Sequence, residues 1–242
     1  MPVTLPGPEP ARLSARDRVI VALDVPDAEQ ALGLVERLDN QIYWFKIGLE
    51  LYLSEGNRII EILRSQGHSV FLDLKLHDIP NTVAGAVRSA SRAGAKMLTV
   101  HACGGPAMLS AAVEAAASVA HAPQLLAVTV LTSMDQSQLS AVGVPGSPAD
   151  QVLILAQMGW RSGIRGFVSS AEEVAAMRHT FPAATLVIPG IRPAGAATDD
   201  QKRVATPAAA IAAGADYLVI GRPITQAPDP AAAAAAILAE IS

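Results

Sequence analysis

Apolar runs of six to eight residues recur along the chain: RVIVALDV (18–25), YWFKIG (43–48), SVFLDLK (69–75), KMLTVHA (96–102), QLLAVTVL (124–131), GIRGFVSS (163–170), TLVIPG (185–190) and DYLVIG (216–221). Between them, segments such as DAEQALGLVERL and TVAGAVRSASRAG return an apolar residue every three or four positions. The runs predict strands and the intervening segments predict helices. Gly67, Gly94, Gly163 and Gly214 stand just ahead of the next run, where a helix C-cap turns into a strand. Strands that alternate with helices need parallel crossovers, so eight such units predict a closed α/β structure, a (β/α)8 TIM barrel. The runs are nearly continuous, as expected when helices cover one face of each strand and a packed interior the other. The competing architecture, a doubly wound open sheet, normally carries a Gly-rich fingerprint after its first strand, and LDVPDAEQA has none.

Composition narrows this picture. A length of 242 residues suits one barrel at residues 17–242, preceded by a Pro-rich polar stretch at 1–16 that predicts a flexible arm. Hydrophobic residues make up 51% and charged ones 17%, which provides for a large core and argues against disorder. With 18 Lys+Arg against 22 Asp+Glu the net charge is -4, which speaks against a general nucleic-acid binder but leaves room for a small anionic ligand. The single cysteine, Cys103, forms no internal disulfide and fits a reducing cytoplasm. The start has no apolar leader, and the Ala-rich AAAAAAILAEI is too short for a bilayer, so a soluble cytoplasmic protein with no membrane partner is expected.

Three stretches carry candidate chemistry. FLDLKLHDIP (71–80) opens as a core strand yet holds Asp73, Lys75 and Asp78. Burying charges is costly unless they are paired or used. Residues two apart on a strand share a face, so Asp73 and Lys75 are expected together at the open mouth of the barrel, with Lys46 of WFKIG beside them. Active sites of such barrels lie at the C-terminal strand ends, where Asp24, His101, Thr132, Arg192 and Arg222 also fall. An ion-pair network that only stabilises the rim is the plainer reading of DxKxxD. The second stretch, DYLVIGRPIT (216–225), places Gly221 and Arg222 ahead of Pro223, a turn suited to an anion after the last strand. A solvent-facing Gly-Arg turn is its plainer reading. The third, PGIRPAGAATDDQKR (189–203), reads as a lid that brings Arg192 and Gln201 over a ligand.

Taken in order, ALDV (22–25), FKIG (45–48), FLDLKLHDIPNTV (71–83), VTVLTS (128–133), PGIRP (189–193), DDQKRVATP (199–207) and GADYLVIGRPIT (214–225) resemble the bacterial-type orotidine 5'-phosphate decarboxylases, over nearly all of residues 18–240. Residues 1–16 fall outside that pattern, and the helices are richer in alanine than is usual for it. The resemblance implies a carboxy-lyase that makes uridine 5'-phosphate in the last step of de novo pyrimidine synthesis. It implies that Lys75 protonates C6 of the pyrimidine, with Asp73 beside the departing carboxylate and Lys46 and Asp78 completing an alternating array. It further implies that Asp78, Ile79 and Thr82 serve the neighbouring subunit of a homodimer. Asp24 and Lys46 would hold the ribose and Thr132 the pyrimidine edge, while Gln201, Gly221, Arg222 and Arg192 would bind phosphate. No cofactor and no metal are expected. Physical chemistry agrees with these roles: a carbanion with no electron sink needs a fixed cation where its charge develops, and a lysine between two aspartates is favoured in its charged form.

Two alternatives are weighed. One is a related magnesium-dependent enzyme of keto-sugar phosphates, a keto-gulonate phosphate decarboxylase or hexulose phosphate synthase, for which Glu50 is a candidate ligand; Lys46 nearby would repel the ion. The other is a non-catalytic phosphate-binding barrel, which has no reason to keep Lys46, Asp73, Lys75 and Asp78 together. His77 and His101 are expected to be hydrogen-bonded structural residues, Cys103 a small buried one, and Trp44 and Trp160 packing residues.

Overall fold

A computed structural model describes residues 13–193 and 204–242. Its eight strands are β1 (Val19–Leu23), β2 (Trp44–Ile47), β3 (Ser69–Leu76), β4 (Met97–His101), β5 (Gln124–Val128), β6 (Gly166–Val168), β7 (Thr185–Ile188) and β8 (Tyr217–Ile220). Each is parallel to the next, and β1 pairs with β8 to close the barrel. The eight expected runs therefore become eight strands in the expected order. Most stop short of the C-terminal end of their run, because residues such as Asp24 and Leu131 have already left the ladder for the loops of the mouth.

The helices start and stop for local reasons. Asp27, Ser147, Thr206 and Asp229 each cap a helix by accepting a bond from a backbone N–H of the first turn. At the other ends, the four glycines expected as caps have φ between 86° and 109°. Gly94 illustrates the need. It ends helix Pro80–Ala93 in the left-handed region, and a Cβ there would lie 2.2 Å from the Arg64 guanidinium.

Two apolar layers result. The outer one packs strand faces against helices and includes Val21, Phe45, Leu72, Leu98 and Phe167, all essentially inaccessible. The inner one fills the barrel with Ile20, Ala22, Phe71, Met97, Leu126, Val187 and Val219, with Trp44 and Tyr217 edge-to-face at 5.8 Å. Burying one such large side chain stabilises the fold by roughly 1.5–3 kcal/mol. Gly166 makes room within this interior, since a Cβ there would stand 2.4 Å from Leu126 Cδ2. Trp160 packs on Phe181 at 5.4 Å with the Arg165 guanidinium 4.2 Å from its ring centre, so both tryptophans are packing residues as expected. Cys103 is a correction: it is exposed, because the 3-10 turn Ala102–Gly104 points Ala102, and not the cysteine, into the core. Ahead of β1, Ser14 caps the short helix Ala15–Arg18, and Arg18 donates to the carbonyls of Leu13 and Ala215. No helix among the described residues is long and apolar enough to cross a membrane.

Candidate active site

The inner apolar layer ends below the mouth, and a cavity of about 460 Å³ opens above it. Ala22, Phe71, Val128, Val168 and Val219 give it an apolar floor. Asp24, Lys46, Asp73, Lys75, Thr132, Arg192, Gly221 and Arg222 all line it, so eight residues singled out from sequence meet in one place. Asp78, Ile79 and Thr82 do not line it; they are exposed at the start of helix Pro80–Ala93. Asp78 Oδ1 accepts the Ile79 N–H at 2.6 Å, and Ile79 is 67% exposed. Gln201 lies outside the described residues.

The charges form a connected line. Lys46 Nζ donates to Asp24 Oδ1 at 2.8 Å and stands 3.6 Å from Asp73 Oδ2. Lys75 Nζ grips both Asp73 oxygens, at 3.0 and 2.9 Å. Within one chain the order is thus Asp24–Lys46–Asp73–Lys75. Lys46 and Asp73 are buried, while Asp24 faces the solvent. Burial by itself pushes the Asp73 carboxyl up. The charges of Lys46 and Lys75 and the hydrogen bonds from Lys75 and Thr99 outweigh it and hold the group below its ordinary value of 3.8.

Asp73 and Lys75 meet, but simple strand alternation is not the cause. The β3–β4 register runs Leu72 to Leu98 and then Leu76 to Val100, so β3 spends four residues where β4 spends two. Lys75 sits in this irregularity with φ 50°, in the left-handed region that non-glycine residues seldom occupy. Its N–H leaves the sheet ladder and donates to Thr99 Oγ1 at 2.8 Å. The same hydroxyl donates to Asp73 Oδ1 at 2.9 Å, and Thr99 is fully buried. Sequence reading missed Thr99, because a threonine in LTVH is ordinary for a strand. Gly48, at the end of β2, was missed too. A Cβ there would lie 3.0 Å from Asp24 Oδ1 and 3.2 Å from Lys46 Nζ.

The remaining polar residues divide. Ser169 lines the cavity wall, and its hydroxyl is buried with no partner among the described residues. His101 and His77 lie beside the site with ring centres 5.7 Å apart. The bonded role expected for His101 is not met at Nδ1, which is buried and without a partner among the described residues. Burial, with the charges of His77 and Lys75, lowers the pKa of His101 below 6.5 against the opposing pull of Asp73. Glu50, weighed as a metal ligand, is exposed on helix Leu49–Glu55, and no three His, Cys, Asp or Glu side chains among the described residues are grouped to hold a metal ion. Arg192 is buried, its backbone N–H held by the Ala205 carbonyl at 2.9 Å, so the two flanks of segment 194–203 are tied together.

The model of the orotidine 5'-phosphate decarboxylase / HUMPS family matches residues 17–237. The chain belongs to this family. It is 52% identical over 241 residues to a protein of Halorhodospira halophila named orotidine 5'-phosphate decarboxylase, covering 99% of each chain. A protein of the same name from Nitrosococcus oceani is 53% identical over 228 residues, 94% of this chain and 98% of that one. Among solved structures, the orotidine 5'-phosphate decarboxylase of Lactobacillus acidophilus superposes with a TM-score of 0.82 at 38% identity, covering 93% of this chain and 100% of that one. In this decarboxylase family setting, the strand-end charges stand in the cavity at the C-terminal face where such barrels carry their chemistry.

Proposed function

We propose that this chain is a cytoplasmic carboxy-lyase that converts orotidine 5'-phosphate to uridine 5'-phosphate, without a metal ion or organic cofactor. The observation that carries the proposal is the Lys46–Asp73–Lys75 line at the cavity mouth, buried at Lys46 and Asp73 and tied to Asp24 by a 2.8 Å bond. The relatives at about half identity, all named orotidine 5'-phosphate decarboxylase, support the substrate.

The reaction breaks the bond between C6 and its carboxylate, and carbon dioxide departs while the electron pair stays on C6. Lys75 Nζ, a fixed cation at the mouth, stabilises that charge and then delivers its proton to C6; solvent restores the proton. Preorganised charge of this kind is effective because it needs no rearrangement as the reaction proceeds. Asp73 faces the substrate carboxylate and adds repulsion that departure relieves. Asp24 and Lys46 hold the ribose hydroxyls and Thr132 the pyrimidine edge. Arg192 follows β7, across the closed barrel from β3, and Gly221 with Arg222 follows β8. These groups, joined by Gln201, bind the phosphate. Binding energy from that remote group is available to organise the reacting end. The same reading makes the enzyme a homodimer in which Asp78, Ile79 and Thr82 of one chain complete the site of the other, and its ligand is a nucleotide with no nucleic acid involved.

The test follows orotidine 5'-phosphate absorbance with chelator-treated protein. Turnover undiminished by the chelator is expected, and Lys75→Ala should fall to background while still binding uridine 5'-phosphate. Complete dependence on magnesium, or turnover of a keto-sugar phosphate alone, would overturn the proposal.

A further inference from the structure

We propose that Thr99 is a positioning residue of the reaction, acting through Asp73 and Lys75 without itself reaching the cavity; this rests on the decarboxylase reading of the site. The argument begins with the backbone. Two extra residues in β3 remove Lys75 from the ladder, so its N–H has no strand carbonyl to meet. A buried N–H without an acceptor is costly, and Thr99 Oγ1 accepts it at 2.8 Å. That contact fixes the direction of the hydroxyl. An oxygen that uses a lone pair for Lys75 has its single proton left for another acceptor, and Asp73 Oδ1 receives it at 2.9 Å.

One hydroxyl therefore fixes the rotation of the Asp73 carboxylate and the backbone that carries Lys75. Because Lys75 Nζ bonds both oxygens of that carboxylate, the place of the ammonium is set by the same carboxylate plane. Thr99 is fully buried and is not among the residues lining the cavity, so it makes no demand on substrate binding. Its β-branched side chain has little χ1 freedom, which suits a residue whose oxygen must serve two partners at once.

The experiment compares Thr99→Val, which keeps the shape and removes both bonds, with Thr99→Ser, which keeps both. In Thr99→Val, kcat is expected to fall by about ten- to a hundredfold, the scale of a displaced catalytic group. Its Kd for uridine 5'-phosphate should stay within about twofold of wild type, since that binding uses groups Thr99 does not touch. Thr99→Ser should keep most of kcat. A Thr99→Val enzyme with wild-type kcat, a loss seen equally in Kd, or a Thr99→Ser enzyme as impaired as the valine variant would overturn the proposal. Amide hydrogen exchange at Lys75, read by NMR, separates this claim from the choice of substrate. Protection in wild type and in Thr99→Ser, lost in Thr99→Val, is expected even if orotidine 5'-phosphate is not turned over, whereas equal protection in all three refutes the role of Thr99.

Discussion

Asp73 is the residue on which the site turns. It is a buried carboxylate that receives Lys75 on both oxygens, Thr99 on one, and the Lys46 charge at 3.6 Å. A buried acid is tolerable only with such compensation, and removing one partner of a buried ion pair costs more than the pair contributes. Asp73→Asn should therefore lower stability at neutral pH by about 3 kcal/mol, the low end for a broken buried pair. The low end applies because Lys46 keeps Asp24 at 2.8 Å. The pH dependence follows from the depressed carboxyl. An acid held below its ordinary 3.8 lends stability that is complete above that value and is withdrawn as pH falls through the lower folded one. Urea denaturation as a function of pH should show the gap between wild type and Asp73→Asn constant near neutrality and closing below about 3.8. A gap that persists unchanged into acid would contradict this account.

At the scale of elements, the barrel mouth depends on places where strands stop being regular. β3 carries two extra residues opposite β4, and Lys75 takes a left-handed backbone there. β2 ends at Ile47, and the chain enters helix Leu49–Glu55 through Gly48. The φ of Gly48 is -89°, so no backbone strain requires a glycine; what requires it is the Asp24–Lys46 pair packed over its Cα. Gly48→Ala should leave the barrel folded, because the crowded atoms are side-chain ends that can shift by tenths of an ångström. That shift moves Lys46 relative to Asp73, and a loss of about tenfold or more in kcat/KM is expected from such misplacement. Thermal unfolding beside steady-state kinetics checks this: a variant with a wild-type kcat/KM would show that the pair has slack the geometry does not suggest.

At the scale of the whole molecule, the parallel pairing of β1 with β2 and of β2 with β3 sets Lys46 between Asp24 and Asp73 although 49 positions separate those two, and closure of β1 on β8 brings Gly221 and Arg222 to the same cavity. Closure does not bring Asp78 to the same cavity. Its place on an exposed turn with Ile79, beside the exposed Thr82 in the first turn of helix Pro80–Ala93, is the physical support for a site shared between two chains. If so, mixed dimers of Lys75→Ala and Asp78→Ala should regain about a quarter of wild-type activity, since random exchange makes half the dimers mixed and each of these holds one intact site. No recovery after verified subunit exchange would place Asp78 outside the partner's site.

Much of this was readable along the chain. Apolar runs of strand length alternating with helical periods are local facts, and eight of them leave a closed parallel barrel as the consistent arrangement. Asp24, Lys46, Asp73 and Lys75 stood out because charge at the end of an apolar strand needs a reason, and Thr132, Arg192 and Arg222 because they follow strands on the face where such barrels react. Tertiary structure decided the rest, because it depends on which atoms meet across strands. The extra residues of β3 exist only relative to β4, Thr99 matters only because two partners converge on its oxygen, and Gly48 only because another strand's carboxylate lies above it. Cys103 was misread for the same reason: which residue of a tight turn faces inward is set by the turn's geometry and not by how apolar the residue is. Sequence thus determined the frame and the charges, while the contacts that aim Lys75 came from packing between elements remote in the chain.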